Sequence, residues 1–320
     1  MILSDYLRST RDITWDFARQ CGVEQAVIRL PEDADFDITD RHHWTQVHKN
    51  FTDYGFKPVI IEPMPNALHD HIKAGDEMRD ECIEKVIRMM ELMNEFDIRT
   101  ICFNWMAHIG WLRTAQDIRE RGDAQVTGFD LGDFDRKWEN GDYGRPAITA
   151  AKLWENYEYF IRAVVPYAEK YGVKLALHPD DPPLPRLGDV ERIMISCENI
   201  KRAVELADSP NLGITMCQAC YLMMGEDLYD VIPRLAEKIF FVHFRNVTGN
   251  KYHFHETFHD NGQIAMADIM KLYKKLGIDV PVRVDHVPLM AGEAQGSTAG
   301  YTALGRLYAI GYLKGILESV

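Results

Sequence analysis

Eight short, almost wholly apolar segments recur along this chain with helix-patterned stretches between them, and no other feature restricts its fold as tightly. They fall at 2–6, 25–30 (QAVIRL), 58–62, 100–104 (TICFN), 174–178 (KLALH), 212–217 (LGITMC), 239–244 (IFFVHF) and 282–285 (VRVD). A strand with one wet face alternates apolar and polar residues, whereas a parallel strand covered by helices is apolar on both faces. Between the segments, 77–95 carries Met78, Cys82, Val86, Ile87, Met90 and Leu92 at roughly helical spacing. The stretch 266–276 sets Ile269, Met270 and Tyr273 on one face, and 148–171 and 197–207 read the same way.

Strand–helix alternation repeated this often within 320 residues predicts an α/β fold, a (β/α)8 TIM barrel occupying 1–320 as one domain. The competing architecture is an open doubly wound sheet. It needs a Gly-rich phosphate turn after its first strand, and the sequence holds no Gly-x-Gly-x-x-Gly. The rhythm breaks at 107–146, which contains Gly110, Gly122, Gly128, Gly132, Gly141 and Gly144 with Trp111 and Trp138. A segment of that length between barrel strands is expected to be a cap-like insertion after the fourth strand.

Charge and cysteine usage narrow the partners. A net charge of −13 argues against nucleic acid or an anionic membrane surface. There is no apolar run of about 18 residues and no basic-then-apolar leader. Cys21, Cys82, Cys102, Cys197, Cys217 and Cys220 scatter without a disulfide framework, so we expect reduced thiols and a cytoplasmic protein. The Cys-x-x-Cys at 217–220 has no second copy to complete a zinc ribbon, and Cys220 reads as a small buried hydrophobe.

In barrels of this kind the chemistry sits at the carboxyl ends of the strands. The fifth segment runs into His178, Asp180 and Asp181, the sixth into Cys217, the seventh into His243 and Arg245, and the eighth into Asp285 and His286; the third ends at Glu62. One strand-end histidine is ordinarily structural. Two imidazoles, a thiol and a carboxylate on four successive strands would instead converge on one point, as a donor set suited to Mn²⁺, Fe²⁺ or Zn²⁺.

A rival metal motif lies at His255–His259, where H-E-x-x-H is followed by Gly262 at the spacing of a zinc protease helix. The third histidine such a protease needs would fall at Ala265, and the turn signal Thr248-Gly249-Asn250 comes too soon upstream for the helix. We therefore read the stretch as the loop after the seventh strand. His255, Glu256 and His259 then form a polar wall above the barrel mouth, facing substrate or cap.

Taken together, these motifs resemble the mannonate dehydratase family, xylose-isomerase-like barrels that dehydrate D-mannonate. The resemblance rests on HPDDPP at 178–183, FVHFR at 241–245, FHETFHDNGQIAM at 254–266, VRVDH at 282–286 and GYTALGRLYAIGYLKGI at 300–316. IEPMP at 61–65 and FNWM with W-x-R-T at 103–114 extend it, so it covers residue 57 to the end. It implies metal ligands at His178, Cys217, His243 and Asp285, acid/base groups at His286 and Tyr301, and a substrate carboxylate contact at Arg306. Arg245, His255, Glu256 and His259 are expected to touch substrate, and Asp180 and Asp181 to orient His178. The implied reaction is loss of water across C2–C3 of a sugar acid, D-mannonate giving 2-keto-3-deoxy-D-gluconate. The expected cofactor is Mn²⁺, with Fe²⁺ as the alternative, and the expected partner is the small sugar acid, with assembly into a homo-oligomer left open. Several positions depart from the family pattern: Gln218-Ala219-Cys220 replaces a Gly-Ser turn, Val287 a Gly, and Gly110 an Asp, while the first fifty residues match poorly. These places would face substrate rather than metal. Two other functions stay open, a metal-dependent sugar isomerase or epimerase on the same barrel and a non-catalytic sugar-acid binder.

Overall fold

A computed structural model describes residues 1–293 and 300–320. Eight parallel strands close into a barrel in chain order, each beside its sequence neighbours. They are β1 (Ile2–Arg8), β2 (Gln25–Arg29), β3 (Lys57–Ile61), β4 (Thr100–Phe103), β5 (Lys174–Leu177), β6 (Leu212–Cys217), β7 (Ile239–Phe244) and β8 (Pro281–Val284). Every apolar segment of the sequence is a barrel strand. Five of them stop one residue earlier than expected, before Leu30, Glu62, Asn104, His178 and Asp285. Glu62, Asn104, His178 and Asp285 thus sit one step past a ladder, where their side chains join the barrel mouth. β1 instead runs on to Arg8, which pairs in register with Arg29 of β2.

Helices cover the strands as the periodicity predicts. The longest, Ala150–Tyr171, starts at the N-cap Thr149, whose side chain accepts from the Lys152 amide, and stops at Gly172 in the left-handed region. Its buried face, Leu153, Tyr157, Phe160, Ile161, Val164, Val165 and Ala168, gains roughly 1.5–3 kcal/mol for each large side chain removed from water. A second, smaller apolar cluster fills the barrel itself, with Val27, Ile60, Cys102, Ala176 and Phe241 at its heart. None of the described helices is long and apolar enough to cross a membrane.

Segment 107–146 is not bare chain. It supplies strands Ala115–Arg119 and Gln125–Asp130 and helix Leu131–Glu139. Its strands join Val247–Asn250 and His253–Glu256 in a four-stranded antiparallel sheet that rises from the carboxyl ends of β4 and β7. The stretch read from sequence as a loop is therefore a hairpin. His253, Phe254 and His255 pair with Asp130, Phe129 and Gly128, and burial alternates along HFHE, with Phe254 and Glu256 inside. The Gly128 position tolerates no side chain, because a Cβ there would meet Ile118 and stand 2.8 Å from the Phe254 carbonyl oxygen.

Candidate active site

A cavity of about 370 Å³ opens at the carboxyl ends of the strands, with Glu62, His178, His243, Asp285, His286 and Tyr301 in its wall. β5 to β8 bring the predicted donors together. The ligand atoms of Cys217, His243 and Asp285 lie within 4.8 Å of one another, as do those of His178, Cys217 and Cys220. The His178 and His243 rings are 4.9 Å apart. Nδ1–H of His178 donates to the Pro179 carbonyl at 2.6 Å, which leaves Nε2 as the free donor atom. Asp180 and Asp181 do not perform that task, contrary to the sequence reading: Asp180 accepts from the Met194 amide at 2.9 Å, and Asp181 turns to two arginines.

His243 is more exposed chemically than sterically. It is buried, yet neither ring nitrogen makes a hydrogen bond. Glu62 Oε1 stands 2.9 Å from Nε2 and Asp285 Oδ2 stands 3.5 Å from Nδ1, both out of line for one. Burial pushes the Cys217 thiol up, but a hydrogen bond from Cys220 and the Arg245 charge outweigh it and hold the group well below the usual thiol range. A thiolate, a carboxylate, an unbonded buried imidazole and a second imidazole with its donor nitrogen free form a set that fits a divalent cation.

Behind these donors lies a buried square of charge. Arg245 reaches Glu256 with Nε (3.0 Å) and Nη2 (2.7 Å), and Asp181 with Nη1 (2.8 Å). Arg113, from the 107–146 segment, reaches the same two carboxylates: both its Nη atoms meet Asp181, at 3.0 and 2.9 Å, and Nη2 meets Glu256 at 2.7 Å. Arg245 Nη1 also stands 3.6 Å from the Cys217 sulfur and 3.4 Å from that of Cys220. Cys220 is therefore an electrostatic neighbour of the thiolate and not merely an apolar filler.

The square ends on His286. Its Nδ1 is 2.9 Å from Glu256 Oε1, and its backbone sits at φ 40, a left-handed conformation that a non-glycine residue adopts at some cost. Trp111 and Tyr301 flank the ring at 5.1 and 5.4 Å between centroids. Glu256, the glutamate of H-E-x-x-H, is thus the partner of a histidine elsewhere in the chain. His259 gives Nε2–H to the Phe244 carbonyl at 2.8 Å, and burial lowers its pKa to about 4. His255 is half-buried on the accessory strand, and the motif holds no metal geometry.

All five of the expected substrate contacts lie outside the cavity wall. Arg245, Glu256 and His259 are fully enclosed, and none of them is in the cavity wall. Arg306 is bound to the Asp5 carboxylate and the Tyr6 carbonyl and faces a neighbouring hollow of about 490 Å³. His255 likewise stays outside the wall. Arg283 was passed over, yet it clamps Glu62 at 2.7 and 2.8 Å and Asp285 at 2.8 Å. Arg113 was passed over too. Both sit inside motifs already quoted, R-x-D-H and W-x-R-T, but what they bind is set by distant residues.

The chain is similar to known proteins over nearly its whole length. The D-mannonate dehydratase (UxuA) family model matches residues 3–143 and 133–320. A mannonate dehydratase of Streptococcus agalactiae serotype Ia is 31% identical over 326 aligned residues, covering 93% of this chain and 91% of the relative. Mannonate dehydratase 2 of Halalkalibacterium halodurans is 30% identical, with 85% of each chain covered. The crystal structure of mannonate dehydratase from Streptococcus suis serotype 2 superposes with a TM-score of 0.88 at 28% identity, covering 100% of this chain and 94% of that one.

Proposed function

Because the chain belongs to the D-mannonate dehydratase family, and is therefore a hydro-lyase acting on a sugar acid, we propose that it converts D-mannonate to 2-keto-3-deoxy-D-gluconate. The observation that carries this reading is the single cavity wall shared by His178, His243 and Asp285 with His286 and Tyr301. His178, Cys217, His243 and Asp285 would hold a divalent cation, with Mn²⁺ our choice and Fe²⁺ the alternative. When bound, that ion supplies Lewis-acid stabilisation of the charge that develops on the substrate carboxylate as the C2 proton leaves.

The protein's own groups move the protons. Glu256 holds Nδ1–H of His286, so Nε2 carries the lone pair and takes the C2 proton. Desolvation and the nearby Asp285 carboxylate hold the Tyr301 phenol well above its usual range. It stays protonated and donates to the departing C3 hydroxyl. The resulting enol becomes the 2-keto acid by accepting a proton at C3. His178 and His243 take no part in proton transfer, since their lone pairs are committed as donors.

The test pairs metal analysis of the purified protein with a colour assay for 2-keto-3-deoxy acids across a panel of sugar acids supplied with Mn²⁺. We expect equimolar metal and turnover of D-mannonate. Bound metal without turnover of any aldonate would sink the proposal.

A further inference from the structure

With Arg245 and Arg306 tied to internal carboxylates, the question becomes which cation in the cavity remains to meet an acid. Arg283 is clamped by Glu62 and Asp285. Lys73 is held by Asp70 at 2.8 Å and by the Met106 carbonyl at 3.0 Å. Arg29 gives Nη2 to both oxygens of Glu32, at 2.6 and 2.7 Å, and Nη1 to the Tyr6 hydroxyl at 3.3 Å. Arg8 is different. Its guanidinium is exposed, lines both the main cavity and the adjoining hollow, and makes no hydrogen bond or ion pair with any described residue.

Its position gives that freedom a direction. Arg8 ends β1 and lies in register with Arg29, so two guanidinium groups share one rim of the mouth. Moving from the metal donors toward this rim, the wall passes Asp285 and His286, then Tyr301, then Tyr6, whose ring is 5.6 Å from that of Tyr301. A sugar acid with C1 to C3 between the donors and the His286–Tyr301 pair would run its remaining carbons along Tyr301 and Tyr6. The far end would arrive at Arg8.

Resting on the dehydratase reading above, we infer that Arg8, with Arg29 beside it, binds an anionic group at the far end of the substrate, so that acids carrying a carboxylate or phosphate at C6 are preferred. An arginine fork matches either group, and one charge-assisted contact of this kind is worth about tenfold or more in affinity.

The experiment compares kcat/KM for D-mannonate, D-mannarate and D-mannonate 6-phosphate in the wild-type protein and in Arg8→Gln and Arg8→Lys, all loaded with Mn²⁺. The wild type should favour one of the two acids with an anion at each end over D-mannonate by about tenfold or more, chiefly through KM; which one wins distinguishes carboxylate from phosphate. In Arg8→Gln that ratio should collapse to about one, and Arg8→Lys should restore part of it. A wild type that prefers D-mannonate overturns the inference, as does a preference that survives Arg8→Gln. So does an equal loss for all three acids in Arg8→Gln, which would make Arg8 the anchor for C1. Each of these leaves the dehydratase reading standing. Absence of turnover with all three acids would remove that reading first.

Discussion

As the proposed base, His286 works through Glu256, and one substitution tests the pair. Glu256→Gln keeps an oxygen that can accept from Nδ1–H but removes the charge that stabilises the protonated ring. We expect kcat to fall about 10²-fold with KM little changed, because the group acts on proton transfer and not on substrate binding. Cys217→Ser should act elsewhere. Loss of second-sphere partners weakens metal binding by about 10–100-fold, so loss of a ligand should reach or exceed that range in a competitive metal titration. The meeting of His178, Cys217, His243 and Asp285 at one end of the barrel was legible in the sequence, since each stands at a strand end. Arg245 and Arg306 were not. Among the carboxylates that bind them, Asp181 and Asp5 lie 64 and 301 residues away along the chain, and no local pattern announces such pairings.

The accessory sheet shows the same limit for whole elements. HFHE alternates as a strand should, but its ladder partner is Gln125–Asp130, and without that partner the stretch reads as a loop. Arg113, carried by the same segment, binds Asp181 and Glu256, so the charge square also joins this segment to the barrel. Burial alone would raise both carboxyls. The charges of Arg113 and Arg245 outweigh it at both Asp181 and Glu256, so both groups are held below their ordinary values. A carboxyl depressed in the folded state contributes stability that is complete above its unfolded pKa, about 3.9 for Asp and 4.3 for Glu, and is lost as pH falls toward the folded value. Urea midpoints of the wild type should therefore drop between about pH 5 and 3. An Asp181→Asn, Glu256→Gln double variant, less stable at pH 7 because its arginines are left buried and unpaired, should show a shallower drop. Equal slopes would remove the square from the acid response.

At the scale of the whole molecule the barrel was readable because its strands are largely apolar on both faces, β1 with Ser4 and Asp5 least so, and strand ends came within a residue or two. The mouth was less so, since it is assembled from β1, the 107–146 segment and the 253–256 strand as well as the strand ends. Of the four donors only Cys217 belongs to the apolar core, so stripping metal with a chelator should leave far-ultraviolet circular dichroism unchanged. It should lower the unfolding midpoint only by the lost binding energy, about 2.7 kcal/mol where the ion is present at 100 times its Kd. Collapse of the spectrum would assign the metal a folding role. Solvent isotope tests the proposed elimination across C2–C3: the Mn²⁺-loaded protein is given D-mannonate in D₂O and the product is weighed by mass spectrometry. The expected product is a 2-keto-3-deoxy acid that has lost one water and carries a single deuterium at C3. An acid that has lost no water and carries deuterium at C2 would mean epimerisation and would contradict the proposed elimination.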